Sequence, residues 1–281
     1  MFTLIFENAK GEAIQLSQNP KYSVLSVTGL NPPLANINTA INASFDGSTF
    51  KSSRLDNRNI VITLAIEGDV KNNRIELYKY VKAKDACKIR FSNGVRNVYI
   101  DGYVESFECN LFEQIQLVQV SVICPSPYFK DDGESNAFSS VVGLFEFPFT
   151  IDAEGIPFGN IVINEDINVH NSGDVAAGML IEFKAADTVV NPAIYNMRTN
   201  DFMKLSLTMS AGDVVQINTI RGQKSVTKIS GGVKTNILNT LDPLSTWLVL
   251  ESGDNIMLFT ADTLPENLSC TVRHNNLYEG V

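Results

Sequence analysis

The sequence predicts a mainly β protein of two domains, with one α-helix in the first. Three observations predict it. Apolar residues alternate with polar ones over short runs, the period of two that a half-buried strand imposes. A single stretch, near residues 69–84, changes to helical spacing. Glycine, asparagine and aspartate clusters cut the remainder into short segments, most densely after residue 130. At 281 residues the chain is long for one domain and sufficient for two separate cores.

The elements follow in order. Phe2, Leu4 and Phe6 alternate in MFTLIFENAKGE, which reads as a strand; no basic or long apolar segment precedes Glu7, so the start is not read as a signal peptide. Ile60, Ile62, Leu64 and Ile66 form a second clear alternation. In GDVKNNRIELYKYVKAKDA the residues Leu77, Tyr80, Val81 and Lys84 fall at i, i+3, i+4 and i+7. Asn72 or Asn73 is the expected cap, and Lys82 and Lys84 suit the C-terminal end of the helix dipole. Ile89 and Phe91 then precede the hairpin signal Asn93-Gly94, and Val98 and Ile100 precede a second one, Asp101-Gly102. Ile115, Leu117, Val120, Val122 and Cys124 form the last run, in which Val118 calls for a bulge or burial on both faces. Two prolines and Asp131-Asp132-Gly133 in CPSPYFKDDGES end strand pairing, so the domains are expected at 1–130 and 131–281.

The second half repeats short apolar runs at sandwich spacing: GNIVIN, INVHN, GMLIEFKA, FMKLSLTM, DVVQINTI, KSVTKIS, STWLVLES, NIMLFT and LSCTVRH. Ser172-Gly173-Asp174, Ala211-Gly212-Asp213, Gly231-Gly232 and Ser252-Gly253-Asp254 separate them as turns.

Composition and motifs remove most function classes. The hydrophobic fraction of 44% and charged fraction of 19% are those of a globular chain. No apolar run approaches the ~18–20 residues that a spanning helix needs, and no membrane insertion is expected. Cys87, Cys109, Cys124 and Cys270 include no CxxC pair and read as reduced, packed thiols. Residues 1–130 hold 14 Lys+Arg against 12 Asp+Glu, and residues 131–281 hold 8 against 19. An acidic second half and a balanced first half argue against a nucleic-acid grip. His170 and His274 stand without a metal-ligand pattern, Gly231-Gly232 lacks a following Lys-Ser/Thr, and Asn164-Glu165-Asp166 lacks a calcium-loop ladder. No catalytic, cofactor-binding or metal residue is assigned, and no enzyme is expected. Trp247, the only tryptophan, lies in an apolar run and reads as core instead of a sugar-stacking platform.

With chemistry absent, whole segments carry the signal. GLNPP (Gly29 to Pro33), Gly47-Ser48-x-Phe50, Arg54, Arg58-Asn59, the helix after Gly68-Asp69, Ile100-x-Gly102-Tyr103-Val104-Glu105 and Cys124-Pro125-x-Pro127-Tyr128-Phe129 occur in order in the first half. Asn171-x-Gly173-Asp174, Ile181-Glu182-Phe183, Asn191-Pro192-x-Ile194, Gly212-Asp213-x-Val215-x-Ile217-Asn218-Thr219, Gly253-Asp254-Asn255 and Tyr278-Glu279-Gly280-Val281 follow in the second. In this ordered set the chain resembles the distal tail proteins of siphophages.

The resemblance implies an N-terminal β-sandwich with one helix and an arm or belt hairpin, which builds a homohexameric ring, and a C-terminal galectin-like β-sandwich. It implies a virion component at the distal end of the tail, assembled in the host cytoplasm. The partners implied are the tail tube protein, the tail-tip hub protein and receptor-binding or baseplate proteins, with DNA passing through unbound. Segment 36–56, polar but carrying isolated Ile37, Ile41, Phe45 and Phe50, is the expected arm, gaining partners from a neighbouring copy or else lying as an ordinary surface hairpin. The reading of different class is a carbohydrate-binding adhesion module.

Overall fold

The alternation of Leu4 and Phe6 forms the first strand, β1 (Thr3–Asn8), with both side chains fully buried. The computed structural model describes residues 2–41, 43–44, 46–139, 141–142, 160–161 and 167–281. The chain divides into two units, Met1–Asp132 with Leu277–Val281, and Gly133–Asn276.

In the first unit β1 is followed by β2 (Ala13–Gln15), β3 (Tyr22–Thr28), β4 (Ala35–Ile41), β5 (Ser48–Leu55), β6 (Arg58–Ile66), α1 (Val70–Tyr80), β7 (Ala86–Ser92), β8 (Asn97–Cys109), β9 (Leu117–Cys124) and β10 (Phe129–Lys130). One continuous antiparallel sheet runs β2-β1-β7-β8-β9-β6-β3 over a single apolar core. The inward residues Ile60, Ile62 and Leu64 of β6 meet Val118, Val120 and Val122 of β9 there. Val118 therefore belongs to the buried face, and Leu117 to the partly exposed one. Helix α1 lays Leu77 on this core, and Val81 just past its end packs beside it.

Two sequence expectations change here. The cap of α1 is Asp69, whose carboxylate accepts from the Asn72 amide at 3.3 Å. Asn73 is instead buried within the helix, its side chain donating to the Glu67 carbonyl at 2.7 Å. The second change concerns Asp101-Gly102, which makes no turn. Strand β8 runs straight through it, because Gly102 is needed for packing: a Cβ there would lie 2.6 Å from Val122 Cγ1 and 3.0 Å from Cys124 Sγ. Asn93-Gly94 does form the β7–β8 hairpin, with Gly94 at positive φ.

The second unit contains β11 (Glu134–Ser139), β12 (Val141–Val142), β13 (Asn160–Ile161), β14 (Ile167–Asn171), β15 (Met179–Ala185), β16 (Val189–Val190), β17 (Ala193–Asn196), β18 (Asp201–Lys204), β19 (Thr208–Met209), β20 (Val214–Asn218), β21 (Ser225–Ser230), β22 (Val233–Asn236), β23 (Gly253–Thr260) and β24 (Leu268–His274). A six-stranded sheet, β11-β24-β15-β20-β21-β22, and a four-stranded sheet, β14-β23-β17-β18, share one core. Ile181, Phe183 and Val272 come to it from the first sheet, and Val169, Ile194 and Met257 from the second. Most of GNIVIN and all of Asn164-Glu165-Asp166 lie outside the described residues. The run STWLVLES forms no ladder strand. Leu250 makes one isolated antiparallel bridge with Ala177, and buried asparagines bond the run's carbonyls: Asn171 Nδ2 donates to Leu250 at 2.9 Å and Asn196 Nδ2 to Val249 at 3.2 Å.

The chain's end then leaves this unit. β25 (Leu277–Tyr278) pairs antiparallel with β10, Phe129 opposite Tyr278 and Lys130 opposite Leu277. A single break at residue 130 would place these residues with the second domain; the fold returns them to the first unit. The Val281 amide donates to the Leu30 carbonyl at 3.2 Å, and Arg96 lies over the Tyr278 ring, 4.6 Å from its centroid.

Two stability outcomes follow from these contacts. Gly29 has φ +83, and a Cβ there would sit 2.1 Å from the Asn59 carbonyl oxygen, whereas Gly11 has φ +80 and open space. Gly29→Ala is expected to destabilise the first unit by more than about 2 kcal/mol in denaturant titration, and Gly11→Ala by about 1 kcal/mol. In the second unit Asp213 is buried, 2.7 Å from Lys228 Nζ and accepting from the Ser210 amide at 2.8 Å. The Lys228 bond, then those from Ser230 and Ser210, lower its carboxyl from 3.8 to about 2. A folded value below the unfolded one means that the contribution is complete above pH 3.8 and is lost as pH falls through about 2. Asp213→Asn should flatten the pH dependence of thermal unfolding across that window.

Candidate assembly site

Among the described residues, the two strands β4 and β5 pair only with each other. Ile37, Thr39 and Ile41 share one face of β4 by alternation. On β5 the same alternation would place Phe50 with Ser52 and Arg54, on the opposite side. The register prevents this. Asn38 faces Ser52 and Thr39 faces Phe50, so Lys51 is an extra, bulged residue. Phe50 is thereby turned onto the face of Ile37 and Ile41. The result is an apolar stripe with Ile37 60%, Ile41 88% and Phe50 60% exposed, backed by Asn36, Asn38 and Ser52. A two-stranded hairpin is marginal alone in water, and covering such side chains contributes about 1.5–3 kcal/mol each. Phe45, also assigned to the arm, lies outside the described residues.

Both roots of this hairpin are fixed by Arg58, the first residue of β6. Its guanidinium is buried, with the residue 3% exposed. Nε donates to the Pro127 carbonyl at 2.7 Å, Nη1 to Asn31 at 2.7 Å and to Gly29, and Nη2 to Glu279 at 2.6 Å. The cation also stands over the Phe129 ring, 4.6 Å from its centroid. Burial lowers its pKa from the ordinary arginine value, yet a guanidinium remains charged at neutral pH. Beside it, a Cβ on Gly280 would sit 2.9 Å from Pro32 Cδ, so the terminal segment lies flat against the GLNPP stretch. The segments GLNPP, Arg58-Asn59, CPSPYF and Tyr278-Glu279-Gly280-Val281 are distant in sequence and meet at this one cation.

The other residues weighed for chemistry are dispersed. His170 Nδ1 lies 2.7 Å from Asp254 Oδ1 on an exposed strand face, and the His170 bond, followed by one from Asn168, lowers the Asp254 carboxyl. His274 is buried on the core side of β24, with neither ring nitrogen hydrogen-bonded among the described residues. Among the described residues no group of three or more His, Cys, Asp or Glu side chains is placed to hold a metal. All four cysteines are free thiols, and burial pushes Cys87 and Cys124 up to about 12. Trp247 is half-buried against the second core, with Lys224 Nζ 5.1 Å from its ring centroid. Sequence reasoning found Arg58 only as a motif letter. It did not find Arg96, whose guanidinium bonds the Gly280 carbonyl.

Arg58→Met should leave several carbonyls without their donor and lower the stability of the first unit by about 3 kcal/mol or more. Deleting residues 279–281 should destabilise the same unit by about 1–3 kcal/mol, leaving the second unfolding transition in place. Calorimetry resolves the two transitions.

Residues 172–278 match the family model described as the siphovirus-type tail component, C-terminal domain. A search of curated proteins finds no match. The crystal structure of SPP1 Dit, described as a paradigm of the hub adsorption apparatus of phages infecting Gram-positive bacteria, is similar over 99% of both chains, with a TM-score of 0.69 at 13% identity. The phage P2 baseplate in its activated conformation with calcium contains a chain similar over 97% of this one and 98% of its own, with a TM-score of 0.53 at 9% identity. Residues 172–278 therefore match the C-terminal domain of siphovirus-type tail components, and the chain shares the fold of Dit along its length.

Proposed function

We propose that this chain forms a six-membered ring at the distal end of a phage tail, joining the tail tube to the tail-tip hub. The observation that carries the reading is the β4–β5 hairpin, whose apolar stripe finds no cover among the described residues while its roots are locked by Arg58. A closed ring needs each subunit to offer two different surfaces, and a projecting amphipathic hairpin is one of them. The match over residues 172–278 and the fold shared with the hub protein support the same place in the virion. In this reading the second unit is the galectin-like sandwich that anchors receptor-binding or baseplate proteins, and the role is structural with no catalysis. DNA passes the ring without specific binding, consistent with the nearly balanced charge of residues 1–130.

Electron microscopy of purified chain and of virions tests this. A six-fold ring at the tail's distal end is expected, with no measurable affinity of the purified chain for duplex DNA at physiological salt. A virion reconstruction that places this chain outside any six-fold ring would overturn the proposal.

A further inference from the structure

The cations of the second half are not spread evenly. Residues 214–241 hold Arg221, Lys224, Lys228 and Lys234 and no acid, which leaves four cations against 19 acids in the rest of residues 131–281. The fold gathers these four at one margin of the six-stranded sheet. Strand β22 ends that sheet, and among the described residues no strand pairs with its outer edge. All of its residues are exposed, Val233 at 67%. Register sets the faces. Lys234 stands opposite Ile229 and Thr235 opposite Lys228, so Lys234 and Asn236 share one face while Val233 and Thr235 share the face of Lys228 and the buried Val226. Arg221 and Lys224 lie in the turn between β20 and β21, at the Asn236 end of β22, where the Ile237 amide still donates to the Val226 carbonyl at 3.0 Å.

Among the described residues, Lys228 is the one of these four that a carboxylate neutralises, Asp213 at 2.7 Å. Lys224 Nζ stands over the Trp247 ring, and Arg221 and Lys234 are exposed. Glu182, two strands further in, accepts from Gln216 Nε2 at 3.0 Å. An edge strand presents backbone donors and acceptors that another chain can pair with, and a lysine on it repels strands of its own charge. The same lysine attracts an acidic strand. We propose that β22 receives an extended acidic segment of another protein, added as a further strand of the six-stranded sheet. Backbone pairing supplies the affinity. Carboxylates opposite Lys234 and beside Arg221 and Lys224 select the partner, and an alternating apolar side chain covers Val233. The surrounding acids repel such a segment, so charge directs it to this edge. The inference rests on the reading of the second unit as an anchor, and it names the seat and the chemistry of what is anchored.

The test uses the full chain and a short fluorescein-labelled peptide that alternates glutamate with valine. Fluorescence anisotropy should show saturable binding, and hydrogen exchange of residues 233–236 should slow when the peptide is present. Lys234→Glu should weaken binding by about tenfold or more, and a peptide with lysine in place of glutamate should not bind. N-methylation of the peptide backbone removes its donors while keeping its charges, and it should abolish binding. Lys234 is exposed, so the variant retains its fold, which circular dichroism verifies. Absence of saturable binding overturns the proposal, as does binding that survives N-methylation or Lys234→Glu. A virion reconstruction separates this inference from the reading on which it rests. A receptor-binding or baseplate protein seated on the second unit away from β22 overturns the seat and leaves the anchor; a second unit that carries no other protein overturns both.

Discussion

A buried guanidinium that bonds to backbone carbonyls is the constraint on which the first unit depends. Arg58 offers five donors in a fixed plane. Its neighbours supply oxygens from Gly29, Asn31, Pro127 and Glu279, with no carboxylate among these bonds. These carbonyls belong to segments that have left regular pairing, and the arginine supplies them with donors. Shape matters as much as charge. A lysine would carry the charge but could not span the fork, and the glycines at 29 and 280 exist because backbone must approach within contact distance.

That cation also sets the base of the projecting hairpin. Gly29 and Asn31 lie on the outgoing root, and Arg58 itself is the return root. A hairpin anchored at both ends loses less conformational freedom when it docks than one on a mobile stalk, so more of its apolar burial is retained as association free energy. Local packing at Arg58 and the proposed assembly function are thus linked through the entropy of the arm. The chain terminus enters the same arrangement, since Glu279 supplies one of the four carbonyl partners and Val281 is held by Leu30.

What the sequence made legible follows from how local each signal is. Strand alternation at Ile60 to Ile66 and the Asn93-Gly94 turn are settled within a few residues, and both are present in the fold. Asp101-Gly102 misled because glycine serves both turns and close packing, and only the partner strand carrying Val122 and Cys124 distinguishes the two uses. STWLVLES misled for a related reason: its hydrogen bonds are made in part by the side chains of Asn171 and Asn196, 53 or more residues away, and not by a strand ladder. The stripe on the hairpin was invisible because one bulged residue, Lys51, reverses the face of Phe50. Arg58 could be marked as a motif, but its role needed four remote backbone segments to be assembled around it.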